Sequence, residues 1–145
     1  MKTTSSPIII GRCDVADFPL LAIKDIAIKI DTGAYTSSIH CKDIQVKENK
    51  LHCVFLDPEH PEYNGKSFVF DQFKQKKVKS SNGQVQLRYL IKTRICLFEQ
   101  EYPIELTLSD REEMSFPILI GRKFLTHRFI VDVSKENLSK LNKPH

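Results

Sequence analysis

Ile28-Lys29-Ile30-Asp31-Thr32-Gly33-Ala34 is the stretch on which the reading of this chain turns. Ile26, Ile28 and Ile30 alternate with Ala27 and Lys29, the period of a strand with one apolar face, and the pattern stops at Asp31-Thr32-Gly33. An apolar strand therefore delivers one carboxylate to the tip of a tight turn. The Thr32 hydroxyl is placed to lock that turn, and Gly33 leaves room for another backbone to approach. Taken alone, Asp-Thr-Gly is also an ordinary turn in which Asp31 caps its own backbone. Two such carboxylates brought together across a symmetric, buried seam behave differently. They cannot both ionise, so they share a proton, one serving as base toward water and the other as acid.

Outward from this turn the chain reads as strands. Val85, Leu87, Tyr89, Ile91, Thr93, Ile95 and Leu97 occupy alternate positions, which predicts one long strand over 84–98 with its odd-numbered side chains buried. Glu99, Gln100 and Glu101 read as a polar turn, and Tyr102, Ile104, Leu106 and Leu108 alternate again, so the two segments should form a hairpin. Leu51 to Leu56, Ser67 to Phe70, Pro117 to Ile120, and Phe129, Val131 and Val133 supply shorter candidates. Arg122 to His127 reads as one or two helical turns. The predicted class is all-β, a closed barrel of six or more strands with one short helix, an architecture that leaves few free edges.

A chain of 145 residues fits one domain and buries enough surface to fold without staples. We read 1–7 as a loose terminus, 8–134 as the barrel domain and 135–145 as a polar tail or helix. The net charge of +4 allows an acidic partner, yet it is not the clustered basic stripe expected of a nucleic-acid binder. No apolar run approaches the roughly 20 residues of a membrane span, so no membrane partner is expected. Met1 to Pro7 is short and polar, unlike a secretory leader. Cys13, Cys41, Cys53 and Cys96 form no CxxC pair and are expected to be reduced thiols of a cytoplasmic protein.

A second motif stands far downstream: Phe116-Pro117-Ile118-Leu119-Ile120-Gly121-Arg122-Lys123-Phe124-Leu125. With Asp31-Thr32-Gly33-Ala34, it resembles the retropepsin family of aspartic proteases, in which Asp-Thr-Gly-Ala follows an apolar strand and Gly-Arg-x-x-Leu follows an apolar triplet. The motifs stand further apart than in the compact viral enzymes, which places an insertion between Cys41 and Lys79. A bacterial family labelled "ATP-dependent zinc protease", with a retropepsin-like fold, is closer. It is similar in Lys29-Ile30-Asp31-Thr32-Gly33-Ala34-x-Thr36-Ser37-x-x-His40 and in Asp110-Arg111-x-x-Met114-x-x-Pro117-x-Leu119-x-Gly121-Arg122.

The resemblance implies an aspartic endopeptidase that works as a homodimer, since one Asp-Thr-Gly supplies half a dyad. Asp31 would be the catalytic carboxylate. Thr32 would brace the two loops, and Gly33 and Ala34 would meet the substrate. Gly121 and Arg122 would support the turn from below. A flap tip is expected at Ser80-Ser81-Asn82-Gly83, bringing Ser81, Asn82 and Gly83 over the substrate. The substrate is expected to be a peptide or protein. The resemblance also implies a link to ATP-grasp glutamate ligases that tail ribosomal proteins, which makes an acidic tail a candidate. No cofactor is expected, because no phosphate-binding GxxxxGK[ST] occurs.

Two departures set expectations of their own. Viral retropepsins place an acid after Asp-Thr-Gly-Ala to pair with the Gly-Arg arginine, and here that position is Tyr35. Arg122 must find a carboxylate or carbonyl elsewhere near the Asp31 turn, with Asp110, Glu112 and Asp132 as candidates, because a cation is costly to bury unpaired. The zinc label finds no ligand set. His40-Cys41 and His52-Cys53 are adjacent pairs that point to opposite faces of a strand, and His60 and His127 stand apart, so no metal site is expected. Lys74, Lys76, Lys77 and Lys79 read first as a solvated face and second as a means of capturing an acidic substrate. A non-catalytic peptide-binding module and a metal-dependent hydrolase are the competing functions.

Overall fold

The computed structural model describes residues 6–56, 63–79, 83–110 and 116–141. Eleven strands carry the fold: β1 (Ile8–Ile10), β2 (Cys13–Phe18), β3 (Ile23–Ile30), β4 (Ser37–Lys47), β5 (Lys50–Phe55), β6 (Ser67–Phe70), β7 (Lys74–Lys79), β8 (Val85–Leu97), β9 (Gln100–Ser109), β10 (Ile118–Ile120) and β11 (Phe129–Val131). Two short helices accompany them, α1 (Arg122–Leu125), at the predicted place, and α2 (Leu138–Leu141). Hydrogen-bonded neighbours run β10-β3-β2-β8-β9-β4, and β10 also pairs with β4, which closes a barrel of six strands.

The three-residue strand β10 makes that closure. Its Ile118 lies opposite Ile28 in parallel β3 and opposite Ile39 in antiparallel β4. Strands β3 and β4 are consecutive in sequence, yet β10 lies between them. Ile28, Ile39, Ile91, Ile95, Leu106, Ile118 and Ile120 are all at most 1% exposed. Burying each such side chain is worth about 1.5–3 kcal/mol, so this ring of β-branched and Leu residues dominates the fold's stabilisation.

The long hairpin β8–β9 forms as its alternation predicts, with one adjustment. The turn is Phe98-Glu99, both at positive φ (51° and 61°), so Gln100 and Glu101 already belong to β9. A two-residue hairpin turn of this hand matches the twist of the strands it joins. The Phe98 ring meanwhile finds Phe129 at a centroid distance of 6.0 Å.

Burial along β8 changes partway. Ile91, Thr93, Ile95 and Leu97 are buried, but Val85 and Leu87 are 60% and 64% exposed. The expectation that every odd position is buried therefore fails at the strand's beginning. That half leaves the barrel and pairs with β7, from Lys79↔Val85 to Lys74↔Leu90, and only Leu90 at its end also meets β9, opposite Thr107. It forms a two-stranded arm that packs on the barrel only at its base, through Tyr89 and Phe73, among the described residues. The lysine run is thus a strand, β7. The insertion between Cys41 and Lys79 holds β5 and β6, which extend β4 as an antiparallel meander.

Strand β2 has no clear sequence signal because its inward row is Asp14, Ala16 and Phe18. Asp14, 1% exposed, belongs inside because it satisfies backbone donors. It accepts from the amides of Ser139 (2.9 Å), Lys140 (3.1 Å) and Val15 (2.8 Å). Ser139 Oγ in turn accepts from the Phe98 amide at 2.8 Å. Residues 132–141 therefore strap across β2, and a side chain on Gly11 would collide with the Lys135 carbonyl. All four cysteines are free thiols. Burial pushes the Cys53 thiol up to about 12, and raises Cys41 further still with Cys53 adding repulsion.

Candidate active site

Asp31 stands one residue past the end of β3, at the mouth of the barrel. Its amide donates to the Ile120 carbonyl of β10 at 2.8 Å, while Ile30 donates to the Arg12 carbonyl at 2.9 Å. The carboxylate is thus carried by a backbone fixed on both sides. One carboxylate oxygen accepts from the Gly33 amide at 3.2 Å, and the Ala34 amide reaches the Asp31 carbonyl at 3.2 Å. The self-capping turn and a displayed acid are both present in one structure. Thr32 and Gly33 are exposed, and Asp31 and Ala34 are half-buried.

The second motif supports this turn from below. The Arg122 and Lys123 amides donate to the carbonyls of Ala34 (2.8 Å) and Tyr35 (2.9 Å). A Cβ on Gly121 would lie 2.5 Å from the Thr36 carbonyl oxygen and 2.7 Å from that of Tyr35, so only glycine permits the approach. Its own amide donates to Ser37 Oγ at 3.0 Å, and Thr107 Oγ1 donates to the Ser37 carbonyl at 3.2 Å. Gly33 differs. A Cβ there would meet nothing closer than Asp31 Oδ1 at 3.5 Å, an ordinary contact. Within one chain, Gly33 is free to be larger.

Arg122 finds a carbonyl partner at the Asp31 turn. Its Nη1 donates to the Thr32 carbonyl at 2.9 Å, and its guanidinium lies 5.8 Å from the centre of the Tyr35 ring. Of the carboxylates named as candidates, Asp132 is engaged with Ser134 through both its amide and hydroxyl, and Glu112 lies outside the described residues. The tyrosine thus does through its π face what an acid would do through charge. The same ring receives Lys76 of β7, with Nζ 5.2 Å from the centroid. Tyr35 therefore joins the turn to the arm. The sequence marks Tyr35 as a departure but gives no hint of Lys76, because nothing local shows which lysine of the run faces the turn.

The expected flap tip falls at the end of that arm. Ser80, Ser81 and Asn82 lie outside the described residues. Gly83 has φ +85°, a left-handed conformation suited to glycine, and among the described residues no atom lies within 4 Å of the place a Cβ would take. Beyond α1, Lys123 forms an ion pair with Glu105 of β9. The hydrogen bond they share lowers the Glu105 carboxyl and raises the Lys123 amine. Among the described residues, no three His, Cys, Asp or Glu side chains converge as a metal ligand set. No helix there is long and apolar enough to cross a membrane.

A six-stranded barrel that carries Asp-Thr-Gly at the end of one strand, seated on a Gly-Arg helix start, is one lobe of an acid-protease fold. Residues 9–141 match the family model described as "RimB-like: Retropepsin-like aspartic endopeptidase RimB", and the chain belongs to that family. A solved Legionella pneumophila protein of unknown function shares the fold, with a TM-score of 0.69 at 23% identity over 92% of this chain and 99% of that one. Curated relatives bear another name. "Probable alpha-L-glutamate ligase" of Desulfotalea psychrophila is 34% identical over 91% of this chain. The protein of the same name from Shewanella halifaxensis is 31% identical over 88%. The chain spans only 31% and 29% of those two relatives' own lengths. None of these comparisons carries the zinc label that the sequence resemblance suggested.

Proposed function

We propose that this chain is an aspartic endopeptidase that becomes competent as a homodimer and trims acidic peptide tails. One observation carries the reading: the Asp31 carboxylate stands on a turn fixed by Ile120, Arg122 and Gly121, in a chain of the retropepsin-like family. One chain supplies one such acid. A second copy across a two-fold axis supplies the other, with the exposed Thr32 residues bracing the loops and Gly33 facing the substrate backbone. The dyad holds one proton. Its ionised member takes a proton from water as that water attacks the scissile carbonyl. Its protonated member stabilises the developing oxyanion and the amide nitrogen leaves protonated. The arm formed by β7 and the first half of β8 closes over the peptide, with its tip near Gly83. The fit of a compact basic protein to an acidic tail agrees with the glutamate-ligase name of its relatives.

A peptide-binding module is the second reading, favoured by one fact: the matching region makes up under a third of the ligase relatives. Wild type and Asp31→Asn, assayed on a glutamate-tailed peptide with and without chelator, separate the readings. Cleavage by wild type alone, unaffected by chelator, supports the aspartic dyad, and sedimentation should show a dimer. Cleavage that survives Asp31→Asn, or that chelator abolishes, would transfer the activity to a metal mechanism. No cleavage by either protein would leave the binding module.

A further inference from the structure

Beside the Asp31 turn a groove runs along β8. Its larger part, about 330 Å³, is bounded by Thr36, Leu90, Thr93, Lys123 and Phe124. A second part, about 310 Å³, continues past Phe73 and Lys74 and shares Leu90 and Lys92 with the first. Three features of this groove are unused by the catalytic reading. First, its charge is unbalanced. Glu105 pairs with Lys123 and faces Lys92 across the ladder, while Lys74 adds a third ammonium nearby. Arg128 is already committed, donating to the Phe124 carbonyl at 2.8 Å and lying 5.1 Å from that ring's centre. Asp71 borders the second part but pairs with Lys50 at 3.5 Å, so Glu105 is left among three ammonium groups, which leaves room for a further anion. Second, Thr93 is 5% exposed and its Oγ1 has no hydrogen-bond partner among the described residues, a deficit worth roughly 1–3 kcal/mol. Third, the Leu90 and Phe124 walls are apolar and suit methylene groups rather than a bare inorganic ion.

We propose that this groove is a carboxylate-binding subsite that accepts the acidic side chain of an extended peptide. The methylenes lie against Leu90 and Phe124, the carboxylate lies between Lys92 and Lys123, and Thr93 Oγ1 donates to the same chain. Lys123 turns from Glu105 toward the ligand, and Glu105 keeps Lys92 and Lys74 as partners. Because Thr36 borders the cavity and the Lys123 amide holds the Tyr35 carbonyl, a peptide in the groove continues toward Asp31. Only that continuation rests on the endopeptidase reading; binding does not need the Asp31 carboxylate.

The test uses Asp31→Asn protein, so that peptide is not consumed, and calorimetric titration with an end-blocked tetraglutamate. The glutamate peptide should bind roughly tenfold or more tightly than its tetraglutamine counterpart, as expected of charge-assisted contacts. Lys92→Ala combined with Lys123→Ala should remove most of that preference; both side chains are exposed, so the fold should survive. Thr93→Val should weaken peptide binding while raising the melting temperature, a combination that a purely structural Thr93 would not give. Equal affinity for the two peptides, an unchanged double variant, or displacement by inorganic phosphate at the same concentration as peptide would overturn the proposal. Wild-type cleavage measured in parallel keeps the failures apart. Discrimination without cleavage would sink the endopeptidase reading alone, and cleavage without discrimination would sink the subsite alone.

Discussion

Strand β8 has two halves with the same alternating pattern and opposite fates. From Ile91 to Leu97 its odd side chains are at most 5% exposed, while Val85 and Leu87 are 60% and 64% exposed. Alternation says only that a strand has an apolar face. Whether that face is buried depends on a second layer, and the layer ends where β9 stops pairing with β8 and β7 takes over. The barrel half is held from all sides. The arm half has one ladder, Lys76 on Tyr35, and at its base the Tyr89 ring against Phe73 at 5.7 Å. Proteins draw moving lids from such weakly packed elements. An arm whose Val85 and Leu87 lack cover belongs with such elements.

The sharpest separation of barrel from arm is functional. Asp31→Asn should lower the rate of acidic-peptide cleavage by about 10² to 10⁴, the usual scale of a lost general base, with little change in urea midpoint. A variant that unfolded as well as lost activity would show that the turn is part of the barrel's stability and not a displayed site. The next contrast is energetic. Ile91→Ala should cost about 2–5 kcal/mol in urea unfolding, and Leu87→Ala on the same strand should stay within about 0.5 kcal/mol. Comparable losses would mean that the arm is covered in solution, which a dimer could achieve.

Tyr35→Ala should come third. Removing the ring frees Lys76 and Arg122 at roughly 0.5–1 kcal/mol, so amide exchange over β7 should accelerate while the barrel strand β4 stays protected. Tyr35→Phe should keep the protection, because the face and not the hydroxyl makes the contact. The smallest effect belongs to the Glu105–Lys123 pair, which is partly exposed and worth less than about 1 kcal/mol. Glu105 is lowered in the folded state, so its contribution is full above the ordinary value of 4.5 and is lost as pH falls through the lower folded value. Lys123 is raised, so its share is lost at the other extreme, as pH climbs through its folded value above 10.5. Glu105→Gln should flatten the acid side of a stability–pH curve measured against wild type, and an unchanged slope there would remove the pair from the account.

The barrel and its turn were legible because local pattern and burial coincide there. Ile26, Ile28 and Ile30 alternate and are buried, and Gly121-Arg122 sits where close approach and a carbonyl partner demand those residues. The arm was misread because its alternation is real but its burial is not. Strand β2 has no signal because a buried acid stands in its apolar row, and two of the three amides that satisfy Asp14 come from more than a hundred positions away. The sequence leaves Arg122's partner open between a carboxylate and a carbonyl near the turn, with Asp110, Glu112 and Asp132 as candidates, and the partner is the Thr32 carbonyl. The arginine's aromatic neighbour was visible only as an anomaly, since π contacts leave no spacing rule in a sequence.

The insertion of β10 between β3 and β4 also sets an order of events in time. The Asp31 turn bridges two strands that share no ladder with each other, so its frame is complete only once residues 118–120, far along the chain, have docked between them. Closing so long a loop is entropically slow, and its gain arrives only when the contact is made. A partly folded chain therefore holds its carboxylate on a slack tether. The displayed carboxylate thus takes its final position together with the closure of the ring.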